Sequence, residues 1–95
     1  MNMSHIEKCD ATECAYNSDG FCHTLAVTIG DPRGCPDCST FFVSSSKGGD
    51  QEATAGIGAC KMASCRYNMQ LECSAPSVSI GHAEEHVHCL TFSQR

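Results

Sequence analysis

The clearest hydrophobic alternation in the chain runs from Phe21, where Phe21, His23, Leu25, Val27 and Ile29 fall on one side and Cys22, Thr24, Ala26 and Thr28 on the other. Period-two alternation predicts a strand with one buried face. Just before it, Asn17-Ser18-Asp19-Gly20 has the chemistry of a tight hairpin turn, because Asp-Gly supplies two positive backbone dihedrals at low steric cost. Further along, Val78 and Ile80 repeat the Val27 and Ile29 pattern, and Pro76 predicts that this second strand lies at an edge or begins late. Gly30 and Gly81 are expected to end the two strands, and a variable loop then leads to a short Thr-Phe segment that returns as another strand. Helical periodicity is absent apart from a single turn around residues 10–14 or 61–65.

These elements recur because the chain is a duplication. At an offset of 51 residues, Cys9 falls on Cys60, Cys14 on Cys65, Cys22 on Cys73 and Cys38 on Cys89. The same shift matches Ile6 with Ile57, Tyr16 with Tyr67, Asn17 with Asn68, Val27 with Val78, Ile29 with Ile80, Gly30 with Gly81, Thr40 with Thr91 and Phe41 with Phe92. Each copy carries C-x4-C-x7-C-x15-C-x-T-F. The implied organisation is a first cysteine-rich unit over 1–41, a Gly/Ser-rich linker over 42–56 and a second unit over 57–95. Through that linker the units either move separately or dock. The expected core is Ile6, Tyr16, Leu25, Val27, Ile29 and Phe41 in the first unit, and Ile57, Tyr67, Leu71, Val78, Ile80 and Phe92 in the second.

Composition explains why the cysteines matter. Only 6% of the 95 residues are aromatic and none is Trp, whereas nine are Cys. So small a core cannot order either unit, and metal or disulfides must supply the difference. The fold class expected is therefore a small, cysteine-rich, mainly β protein with little helix. The net charge of −5 is concentrated in the first unit, which bears two cations against six carboxylates. No Lys or Arg cluster offers a nucleic-acid footprint. No apolar run has the length of a membrane span, and the start of the chain lacks the pattern of a secretory signal. The expectation is a cytoplasmic protein, with a protein partner rather than a nucleic acid or a membrane.

The cysteine spacing, with Tyr-Asn after the second Cys, V-x-I-G in the strand and Thr-Phe after the last Cys, resembles the domain-of-unknown-function family numbered 1540. It is a short bacterial cysteine-rich domain often found in tandem. The resemblance covers both units. The family has no established activity, and the resemblance implies that the four cysteines of each unit bind metal or pair with one another.

Read by residue chemistry, the first candidate is an all-thiolate zinc site in each unit, two ions in all, held by Cys9, Cys14, Cys22 and Cys38 and by Cys60, Cys65, Cys73 and Cys89. Four thiolates leave no open position, so such sites are structural. Other soft metals suit the same donors. The alternative is two disulfides per unit, for which four cysteines allow three connectivities. That reading leads to a stapled protein of the spore coat or cell envelope. A metallothionein-like metal buffer, and a redox sensor using Cys35 and Cys38, are further readings. The units diverge before the last Cys, where Asp31, Cys35 and Asp37 of the first become His82, His86 and His88 of the second. Cys35, His86 and His88 are additional candidate ligands, and a site of three Cys and one His is an option in the second unit.

Overall fold

A computed structural model describes residues 3–30, 34–50, 52–83 and 86–95. The described residues form nine strands: β1 (Ser4–Cys9), β2 (Asn17–Ser18), β3 (Phe21–Cys22), β4 (Ala26–Ile29), β5 (Gly56–Cys60), β6 (Asn68–Met69), β7 (Glu72–Cys73), β8 (Ser77–Ala83) and β9 (His86–Cys89). Among the described residues there is no helix, in keeping with a mainly β, cysteine-rich fold.

The predicted hairpin forms as β2 and β3, with Asn17 opposite Cys22. Asp19 (φ 56°) and Gly20 (φ 84°) take the two positive dihedrals of the turn. The Asn17 side chain locks it, donating to Cys9 O at 2.8 Å and accepting from Gly20 N. In the second repeat Asn68 does the same for β6 and β7, donating to Cys60 O and accepting from Leu71 N.

The long alternating strand expected from Phe21 is instead two short ones, separated at residues 23–25. Val27 and Ile29 are buried as expected, but Phe21 and Leu25 are exposed, Leu25 to 73%. Leu71 is likewise exposed, at a turn tip and not in a core. Pro76 acts as a late start, since β8 begins at Ser77. That strand is not an edge: it lies between β1 and β9. Gly81 does not end it either, because β8 runs on to Ala83 and pairs with β9.

Five strands form the main sheet, in the order β4-β5-β1-β8-β9, and this order interleaves the repeats. Each repeat's first strand lies parallel to the other repeat's later strand, β1 beside β8 and β5 beside β4. At the centre β1 and β5 run antiparallel, with His5 opposite Gly56. Those two positions are equivalents in the 51-residue alignment, so an approximate twofold axis passes between them.

The sheet also closes on itself. Asp37 bridges to His88 on β9, and Cys38 bridges to Ile29 on β4, which joins the two outer strands of the order. Closure removes edges that would otherwise offer unpaired backbone groups. Asp37 and His88 are again equivalent positions, so the same axis leaves the ring at this seam. Symmetric bonds flank it, Cys38 N to Val87 O and Cys89 N to Pro36 O, both 2.8 Å.

The described residues of the 42–56 segment are bonded to the first repeat at several points. Ala15 N donates to Phe42 O, Gly48 N to Ala15 O, Asp50 N to His23 O and Ala55 N to Cys22 O. His23, buried at 9% exposure, adds Nδ1 at 2.8 Å from Ala53 O. The repeated architecture extends past Phe41, since Cys14 bridges to Val43 as Cys65 does to Gln94.

Candidate thiol sites

The four cysteines of each repeat come from equivalent places: the end of the first strand, the tight turn after it, the second strand of the hairpin, and the seam or β9. In the first repeat Cys9, Cys14, Cys22 and Cys38 line one cavity, walled by Ile6, Ala11, Tyr16, Val27 and Phe41. In the second, Cys60, Cys65, Cys73 and Cys89 line its counterpart, with Ile57, Tyr67, Val78 and Phe92. The sequence-predicted cysteine sets are thus brought together, set by set. Each cavity also takes a wall from the opposite repeat, Ile80 and Val87 in the first and Ile29 in the second. Ile29 and Ile80 have therefore exchanged the cores expected of them.

The space open to the centre of a water-sized sphere in each cavity is about 10 Å³. A space of about one water-sized sphere suits a single ion. All eight repeat cysteines are free thiols. Among the described residues no group of three or more His, Cys, Asp or Glu side chains is already arranged to hold a metal ion. The thiols share a cavity without standing as a coordination set.

Burial lowers the acidity of three of these thiols. It pushes Cys38 up to about 12 and Cys89 up to about 11, and the neighbouring thiols of the same cavity push further in that direction. Cys22 is raised by the same two causes. Without a cation these are neutral thiols at pH 7.

Two cations sit behind the thiol turns. Lys47 Nζ donates to Thr12 O at 2.8 Å and to Cys14 O at 3.0 Å. Arg95 Nε donates to Cys65 O at 3.1 Å, and its Nη2 donates to Asn68 O. Cys14 and Cys65 are equivalents, yet Lys47 and Arg95 are not, so repeat alignment gives no signal for them.

The remaining candidate ligands lie elsewhere. Cys35, partly exposed, lines neither thiol cavity, and neither do His86 and His88. His88 Nε2 lies 2.7 Å from Asp37 Oδ1 across the seam, with both atoms shielded from solvent. His86 Nδ1 is 3.8 Å from Asp37 and its ring stacks parallel on His88. His82 Nε2 contacts Glu13 at 3.1 Å. Glu13, Asp37, His82 and His86 border an adjoining cleft of about 290 Å³ floored by Phe41, Val43 and Val87; it shares Cys38, Phe41 and Val87 with the first thiol cavity. A backbone hydrogen bond, helped by His82 and Lys47, holds the Glu13 carboxyl below the usual range. The divergence aligned from sequence thus marks the contact between repeats; complementary residue types at equivalent positions 37 and 88 were its signal. Asp31 lies outside the described residues.

No helix of the described residues is long and apolar enough to cross a membrane. Among curated proteins and among solved structures nothing matches the chain. A family model, Domain of Unknown Function (DUF1540), matches twice, at residues 8–41 and 59–92, and so spans both thiol cavities. The chain is a tandem member of the DUF1540 family.

Proposed function

We propose that each thiol cavity binds one zinc ion, through Cys9, Cys14, Cys22 and Cys38 in the first and Cys60, Cys65, Cys73 and Cys89 in the second. The protein is then a non-enzymatic, zinc-folded module that works by interaction with a protein partner in a reducing, cytoplasmic setting. The observation that carries this reading is the convergence of four free thiols on one buried, ion-sized space in each repeat. Soft thiol donors suit zinc and other soft metals.

The lowered acidity of Cys22, Cys38 and Cys89 is compatible with the same reading. Burial disfavours their thiolates, and a divalent cation in the cavity reverses that balance by binding the deprotonated form. Cys38, Cys73 and Cys89 are only partly buried, so bringing the thiols onto an ion is not confined to the tightly packed core. Lys47 and Arg95 lend positive charge near the two cavities. Once loaded, zinc supplies folding energy that the sparse core lacks, and no position is left open for catalysis.

The test is the mass of protein purified without chelator or added metal, first native and then acid-denatured. A native gain of about 63 Da per zinc, for two zinc ions, with nine reduced cysteines on denaturation, is the expected result. A denatured mass about 8 Da below the reduced value, with no native gain, would replace the zinc reading by four disulfides and a coat or envelope protein. Uptake of more than two metals would favour a metal buffer.

A further inference from the structure

Each thiol cavity is completed by the other repeat. Ile80 walls the first cavity and Ile29 the second. Main-chain bonds follow the same crossing: Asp10 N donates to Ile80 O at 2.9 Å, and Lys61 N donates to Ile29 O at 2.7 Å. Asp10 and Lys61 directly follow the first thiol of each repeat. The last thiol is held in the same way, with the amide of Cys38 bonded to Val87 and that of Cys89 to Pro36. Both ends of each thiol set are thus tied to backbone that belongs to the opposite repeat.

We infer that the two cavities load as a coupled pair, in which the first zinc raises the affinity of the second. The inference rests on the zinc reading above and adds its regulation. The physical cause is the shared ring. Metal binding and folding are one process where the site does not exist in the unfolded chain. An ion in the first cavity fixes Cys9 and Cys38, and with them β1, the seam and the strands β8 and β9 that pair there. Those strands carry Val78 and Cys89 of the second cavity. The ordering entropy of the ring is incurred once, at the first ion, so the second meets backbone already in place. Linkage makes the effect reciprocal, whichever cavity fills first. Two separate modules would show no such coupling.

The test uses the full chain, reduced and metal-free, titrated with zinc and followed by native mass spectrometry. Two equal, independent sites at one equivalent of zinc give about half of the molecules with a single ion. The expected result is mostly metal-free and two-zinc protein, with the one-zinc species well below that half. A one-zinc population at or above about half overturns the coupling while leaving the zinc reading intact. Failure to take up zinc at any ratio overturns both.

Two variants locate the coupling. Cys73→Ser with Cys89→Ser removes the second site; the remaining site is expected to bind zinc at least about tenfold more weakly than the intact protein, and amides of β4 to exchange faster. Unchanged affinity and exchange would overturn the inference. That variant risks general unfolding, so Asp37→Ala, at a residue lining neither thiol cavity, serves as the second. It should still take two zinc ions, with the one-zinc species rising towards about half. An unmoved one-zinc population would contradict transmission through the seam.

Discussion

The two repeats build the same cavity from different parts, and the differences fall in three places. The first turns its hairpin with Asp19-Gly20, whereas the second forces Gln70 (φ 55°) and Leu71 (φ 68°) into the same left-handed conformation. Lys47 caps the carbonyl of Cys14, while Arg95 caps that of Cys65. At the seam the first supplies Asp37 and the second His88. What the repeats share, by contrast, is most of what faces the cavities: four cysteines, Ile6 and Ile57, Val27 and Val78, Ile29 and Ile80. Identical side chains serve where each cavity needs the same wall. At the twofold axis a residue meets its own equivalent, and there identity would set like against like. Divergence to Asp and His gives the axis an attractive pair that two identical repeats could not have.

The comparison is broken most severely by removing one thiol. Cys22→Ser or Cys73→Ser deprives one cavity of a donor, and the loss of one zinc site is worth on the order of 10 kcal/mol of folding energy. Because the ring is shared, amide exchange should speed up in both repeats of either variant, most in the repeat that lost its donor. Unchanged exchange in the untouched repeat would show that the repeats stand apart. Next in size is Ile80→Ala, a fully buried side chain; it should cost about 2–5 kcal/mol in denaturant unfolding. Thiol alkylation should then speed up at Cys9, Cys14, Cys22 and Cys38, the cavity of the other repeat, ahead of the cysteines of its own.

The pH response of the metal-free protein separates thiol from thiolate. Cys38 and Cys89 are raised in the folded state to about 12 and about 11, above an unfolded value of about 8.5. Protonated thiols are therefore favoured by folding. Their contribution is complete below about pH 8.5 and is lost as pH climbs towards 11–12. Whatever fold chelator-treated, reduced protein retains should be insensitive to pH from 6 to 8 and lost from pH 9 upwards, as read by circular dichroism. With zinc bound the sign reverses, since protons compete for the ligands, and stability should fall on acidification.

Smaller effects sharpen the contrast at the axis and the turns. His88→Asp places two carboxylates at the seam and should cost about 1–3 kcal/mol; adding Asp37→His, which restores an opposite pair with the partners exchanged, should recover much of it. A double variant no more stable than His88→Asp would remove charge complementarity from the account. Leu71→Gly relieves a left-handed dihedral at an exposed tip and should stabilise by about 0.5–1 kcal/mol. Gly20→Leu should do the reverse in the first repeat. Both are read from the midpoint of urea unfolding.

Local chemistry was legible in the sequence, and the neighbours of each strand were not. The Asp19-Gly20 turn, the buried Val27, Ile29, Val78 and Ile80, and the grouping of cysteines by repeat follow from residue type and spacing. Alternation says which face of a strand is buried but not which strand lies beside it, so the exchange of β1 and β5 between repeats left no mark. Ser4 hides β1 further. It is buried because its hydroxyl donates to the carbonyls of Cys73 and Ala75, and a polar residue gives no hydrophobic signal. Gly56 and Gly58 blur β5 in the same way. Leu25 and Leu71 misled for the opposite reason, being apolar residues at bends where the chain turns outward.

The central claim is that four sulfurs, and no imidazole or carboxylate, hold the ion in each cavity. Zinc K-edge absorption of the two-zinc protein tests it directly. The account predicts a first shell of four sulfur neighbours per zinc, unchanged in a His86→Gln, His88→Gln variant. A shell containing nitrogen or oxygen that is lost in that variant would contradict it and move the metal to the seam between the repeats.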